Sequence, residues 1–226
     1  MLLRRLSIYL MFGTAALACT ATAASDNALD KALQEAAQHG HAKKIPLLIN
    51  NGANVEARDA NGSTPLLIAT LHNEVGAASV LIEAGADVNA KNTIQDSPYL
   101  YAGARGHNEI LAMTLAHGAD LESTNRYGGT ALIPAAERGH VETVRTLIQA
   151  GVNVNHVNNL GWTALLEAII LGDGGPRHVE IVQLLVDAGA DANLADGQGV
   201  TPLQHARQRG YGDIEAILLH AGAQSR

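Results

Sequence analysis

The chain has 226 residues, of which 47% are hydrophobic and 16% charged, a globular composition that excludes a disordered chain. Its formal net charge is −7, and an acidic surface repels phosphate backbones, which argues against general nucleic-acid binding. Only 3% of residues are aromatic, so the core must be built from small aliphatic side chains, which suits thin stacked helices better than one large core.

Residues 1–24 read as a targeting segment. Arg4 and Arg5 precede an apolar stretch from Leu6 to Ala18, and small residues follow to Ala24. This is the pattern of an export signal peptide. The stretch is shorter than the ~20 residues that cross a bilayer, and the alternative is an uncleaved anchor. Two processing routes fit. Ala21-Thr22-Ala23 offers an A-x-A cleavage site that releases a soluble product. Ala16-Leu17-Ala18-Cys19 resembles a bacterial lipobox, with Ala16 where a leucine is usual, and would anchor the protein through a lipid on Cys19. Both routes predict export, with the periplasm as destination. Removing residues 1–24 takes Arg4 and Arg5 away and leaves a net charge of −9. Cys19 is the single cysteine, so the remaining chain has no disulfide framework and no CxxC motif.

From Asp26 onward a short polar phrase recurs at Asp59, Asn92, Asn125 and Asn158, each 33 residues after the last, and then at Asp196, 38 residues on. After it come Thr64-Pro65-Leu66, Ser97-Pro98, Thr130-Ala131-Leu132, Thr163-Ala164-Leu165 and Thr201-Pro202-Leu203. A hydroxyl side chain can accept a backbone N–H at a helix start, and proline fits the first helical position. Val144, Leu147 and Ile148 show the spacing of a buried helix face, as do Ile181, Leu184 and Leu185. Gly-Ala-Asp-like segments at Gly52, Gly85, Gly118, Gly151 and Gly189 close each copy. One such unit cannot cover its own apolar faces, so neighbours must stack on both sides.

The period and the Thr-Pro-Leu phrase resemble the ankyrin repeat, over residues 26–223. The resemblance implies an all-α solenoid of about six helix-turn-helix units with short hairpin-like tips, in an exported bacterial protein. Several departures carry expectations. The histidine that follows leucine in the family is replaced by Leu67, Leu100, Ile133, Leu166 and Gln204, so apolar packing must replace its bonds between turns. Gln95 stands where the other turns have Gly62, Gly128, Gly161 and Gly199, which predicts a distorted third turn. The five extra residues are placed at Asp173–Arg177, as an extended flexible loop between two helices.

No G-x-S-x-G elbow, P-loop, H-E-x-x-H or dinucleotide fingerprint occurs in the sequence, so it predicts no catalytic residues and no cofactor. His41, His107 and His140 fall at the inter-helix position of successive copies, and His178 takes the same place after the insertion. Spacing by whole repeats is a structural pattern, not a ligand cluster, and no metal site is expected.

The family resemblance implies that a partner protein is held by the turn tips and the exposed side of the first helices. Carried over by register, the large apolar residues there are Ile94, Tyr127, Leu160 and Trp162, with Arg105, Arg138 and Arg209 on the adjoining helix line. Aromatic and arginine side chains are enriched at binding hot spots, though Tyr127 and Trp162 could equally pack on neighbouring tips. The expected function is a non-enzymatic protein-interaction module of the bacterial envelope, an adaptor or regulator. The alternatives are a periplasmic immunity protein that neutralises a toxic effector, or an accessory protein supporting a periplasmic stress enzyme.

Overall fold

The computed structural model describes residues 27–224; the segment 1–24, with its cleavage site and Cys19, lies outside the described residues. Helix α1 covers 27–38. It is followed by α2 (Ile45–Asn50), α3 (Pro65–Leu71), α4 (Val75–Glu83), α5 (Pro98–Arg105), α6 (Asn108–Ala116) and α7 (Leu132–Glu137). The chain continues through α8 (Val141–Ala150), α9 (Ala164–Ile170), α10 (Pro176–Asp187), α11 (Pro202–Arg209) and α12 (Gly212–His220). No strand occurs among the described residues. From α3 onward each odd helix packs on the next odd one, and from α2 onward each even helix on the next even one. The result is a two-layered all-α solenoid in which each unit touches only its neighbours.

Register makes the core. Leu66, Tyr99, Leu132, Leu165 and Leu203 occupy one position of successive copies, and all are fully buried. The second helices supply a parallel column of Leu48, Leu81, Thr114, Leu147, Leu185 and Leu218. Thr114 is tolerated there because its hydroxyl donates to the Leu111 carbonyl at 2.8 Å. Leu67, Leu100, Ile133 and Leu166 are buried too, so apolar packing does replace the missing histidine. Gln204 takes another route: its side chain accepts from the Thr201 amide, completing a capping box on α11.

Thr64, Ser97, Thr163 and Thr201 each accept the amide three residues on and start their helices. Thr130 does not. Helix α7 begins at Leu132, after Ala131 in helical conformation, and the Thr130 hydroxyl is buried without a partner.

Two expectations need correction. The third turn is not distorted: Gln95 adopts φ 65°, beside 75° at Gly62 and 73° at Gly128. Its amide donates to the Asn92 carbonyl at 3.1 Å, just as Gly62 donates to Asp59 at 3.0 Å. The side chain accepts a left-handed backbone so that the turn can keep its shape. The insertion is not an extended loop either. Pro176 and Arg177 form the first turn of α10, leaving Leu171–Gly175 between the helices. That short loop is tied down: His178 Nδ1 lies 2.7 Å from Asp173 Oδ1, its Nε2 lies 3.0 Å from the Glu137 carbonyl, and the Tyr211 hydroxyl donates to the Gly172 carbonyl.

Side-chain rungs join successive copies. The amides of Asp87, Asp120, Asp191 and Gln224 donate to the side chains of Glu56, Asn89, Asn155 and Asn193 respectively. The three asparagines also donate forward, to the carbonyls of Gly118, Gly189 and Gly222. At the matching position stands Glu122, and there no rung is formed among the described residues.

Candidate protein-binding groove

The tips are built by one repeated device. The side-chain oxygen of Asp59, Asn92, Asn125, Asn158 or Asp196 accepts the amides two and four residues ahead, at 2.8–3.1 Å. This locks the turn and thrusts out the residue two places after the acceptor. In three successive copies that residue is large and apolar: Ile94, Tyr127 and Leu160 are 50%, 55% and 57% exposed. Neighbouring tips are bonded directly, Thr93 N to the Asn61 carbonyl and Asn159 N to the Tyr127 carbonyl, both at 3.0 Å.

Below the tips of the fourth and fifth copies, against α7 and α9, lies an open groove of about 280 Å³. It brings together Arg105, Tyr127, Arg138 and Leu160. Ile94, Trp162 and Arg209 lie outside its lining; Trp162 is half-buried, while Ile94 and Arg209 are exposed. The groove's cations are steered by neighbours. The Arg105 guanidinium sits over the Tyr101 ring at 5.4 Å, and Arg126 sits over Tyr127 at 4.8 Å with Asp96 at 3.9 Å. Arg138 donates to the Ala104 carbonyl at 2.9 Å and lies 3.9 Å from Glu137. Burial raises the Asp96 carboxyl above its ordinary range, against the pull of Arg126 and Arg105.

The floor holds Glu167, which is 6% exposed. Asn158 Nδ2 donates to its Oε1 at 2.8 Å. Burial, and then the like charge of Glu137, push this carboxyl up to about 7; the Asn158 bond and Arg138 pull the other way. Sequence reasoning missed Glu167 and Tyr101, which share a register position outside the recurring motif. The available signal was the helix itself: in Ala-Leu-Leu-Glu-Ala-Ile-Ile, Glu167 is the one charge in an apolar run. No group of three or more His, Cys, Asp or Glu side chains that could hold a metal ion occurs among the described residues, and His39 and His41 stack on each other at 5.9 Å.

A family model for ankyrin repeats, in three copies, matches residues 9–92 and 99–196. The chain belongs to the ankyrin repeat family. Its solenoid is similar to the crystal structure of an ankyrin repeat domain from Acinetobacter baumannii AYE, at 67% identity and a TM-score of 0.83, over 85% of this chain and 98% of that one. A second ankyrin repeat protein of known structure is 44% identical with a TM-score of 0.81, covering 84% of this chain and 97% of its own. Among curated proteins no sequence matches this chain. Ankyrin repeats are general protein–protein interaction modules, and the family is typically non-catalytic. The groove under the Tyr127 and Leu160 tips lies where ankyrin tips meet first helices.

Proposed function

We propose that this ankyrin protein is a non-enzymatic adaptor or regulator of the bacterial envelope that holds one partner protein across the Tyr127 and Leu160 tips. The observation that carries the reading is the exposed apolar pair standing over a groove with charged walls, the mixture found at interface hot spots. The export-type segment at residues 1–24 supports the envelope setting, and the Acinetobacter relative supports a bacterial one. Glu167, titrating near neutrality, has the poise of an acid–base group. Its one hydrogen-bonding side chain among the described residues is an amide, Asn158, with no nucleophile paired to it.

The test is capture from envelope extract with purified wild type and with the double variant Tyr127→Ala/Leu160→Ala. One protein retained by the wild type and lost by the variant is the expected result. Both side chains are more than half exposed, so the variant's melting curve should match the wild type's. Retention of the same protein at the same level by a folded variant overturns the reading.

A further inference from the structure

We infer that the groove takes a lysine side chain of the partner, its ammonium bonded to the free oxygen of Glu167. The inference rests on the groove being the binding surface and names the chemistry it accepts.

The first support is the state of the carboxylate. Glu167 Oε1 accepts from Asn158, whose own oxygen is committed to the amides of Leu160 and Trp162, so the pair cannot rotate freely. Oε2 opens on the groove and has no hydrogen-bond partner among the described residues. The second support is register. The corresponding positions in earlier copies are Ile68, Tyr101 and Pro134, so the fold itself asks for no charge there. In the last copy His205 stands in that place and is taken up by Asp196 at 2.8 Å. Glu167 alone among these residues carries an acidic oxygen without a hydrogen-bond partner among the described residues, in a residue only 6% exposed.

The surrounding charges leave room for a cation. Glu137 adds negative potential, while Arg138 is held by Glu137 and the Ala104 carbonyl. On the packed neighbours, Arg105 of α5 lies over the Tyr101 ring at 5.4 Å, His178 of α10 is engaged by Asp173 and the Glu137 carbonyl, and Arg126 is engaged by Asp96 and the Tyr127 ring. A guanidinium binds best to two carboxylate oxygens at once, and only one is open. An ammonium is a point donor, and its four-carbon stem can run past the apolar Tyr127 and Leu160 rim.

The experiment follows the Glu167 carboxyl by 13C NMR across pH in the purified protein, at constant ionic strength. The probes are N-acetyl-lysine methylamide, its arginine and norleucine counterparts, and tetramethylammonium. The lysine probe should lower the titration midpoint by about half a unit or more, because a bound cation favours the ionised acid. Norleucine and tetramethylammonium should leave it in place, and Glu167→Gln should abolish the amide shifts the lysine probe causes at Leu160 and Trp162. An unmoved midpoint, equal movement with all probes, or a larger effect from the arginine probe overturns the assignment. If capture depends on Tyr127 and Leu160 while the lysine probe leaves Glu167 unmoved, the cation assignment falls and the groove stands. If the double variant still captures its protein, the groove itself falls.

Discussion

Asn158 Nδ2 donates to Glu167 Oε1 at 2.8 Å, and this bond ties a tip to the buried floor beneath it. One copy on, the same two positions are Asp196 and His205, again 2.8 Å apart. The contact is therefore a recurring strut of the solenoid, carried by an acid in one copy and by a histidine in the other.

The acid makes that strut pH-dependent. In the unfolded chain Glu167 returns to the ordinary range near 4.5, while in the fold it sits at about 7. Between those values the folded state binds the extra proton. Stability from this group is thus complete below about 4.5 and is lost as pH rises through 7, by an amount of order 3 kcal/mol. Glu167→Gln keeps an acceptor for Asn158 and carries no charge. Its Tm should exceed that of the wild type at pH 8, with the gap closing towards pH 5. His107 and His140, which burial holds below the usual histidine range, weaken the fold as pH drops below about 6.5, but in both proteins alike. A Tm difference that is the same at both pH values would show that Glu167 is not held neutral by burial.

Gln95 should be replaceable with profit. A side chain in the left-handed region costs roughly 1 kcal/mol, part of which glycine returns through its freedom in the unfolded chain. Gln95→Gly is expected to raise stability by about 0.5–1 kcal/mol in urea unfolding. Gly128→Ala should lower it, since φ is 73° and the new Cβ runs into the Asn159 side chain. A Gln95→Gly protein less stable than the wild type would mean that the glutamine side chain contributes a contact outweighing its strain.

Thr130 and Thr163 look interchangeable in the sequence and should respond oppositely to valine. Thr163→Val removes the cap on α9 and should cost about 1–2 kcal/mol. Thr130→Val removes a buried hydroxyl that bonds to nothing and should be neutral or stabilising by about 1 kcal/mol. Thermal melts of the two variants side by side decide it; equal losses would show that Thr130 caps its helix after all.

These contrasts mark what the sequence carries and what it does not. The period of 33 and the capped helix starts give the stacking order, because each copy must offer the next a matching apolar face. Tyr127 and Leu160 were legible as apolar residues on tips that a solvated turn has no need of. Glu167 was not, because its meaning depends on which neighbours surround it, and Glu137 lies 30 residues away in another copy. Gln95 misled for the opposite reason. The bonds around Asn92 fix the turn more strongly than one residue's preference opposes it. The insertion was counted correctly, but sequence spacing could not show that Pro176 would nucleate an earlier helix start.

The missing rung at Glu122 falls between the segments leading into the Asn125 and Asn158 tips, the pair that overhangs Glu167. Other bonds cross that join in its place: Asn159 to the Tyr127 carbonyl, His156 Nε2 at 2.7 Å from the Gly128 carbonyl, His178 Nε2 at 3.0 Å from the Glu137 carbonyl, and Arg145 to Glu180 at 2.8 Å. An occupant of the groove therefore rests on two copies that are clamped together at tip, first helix and second helix alike.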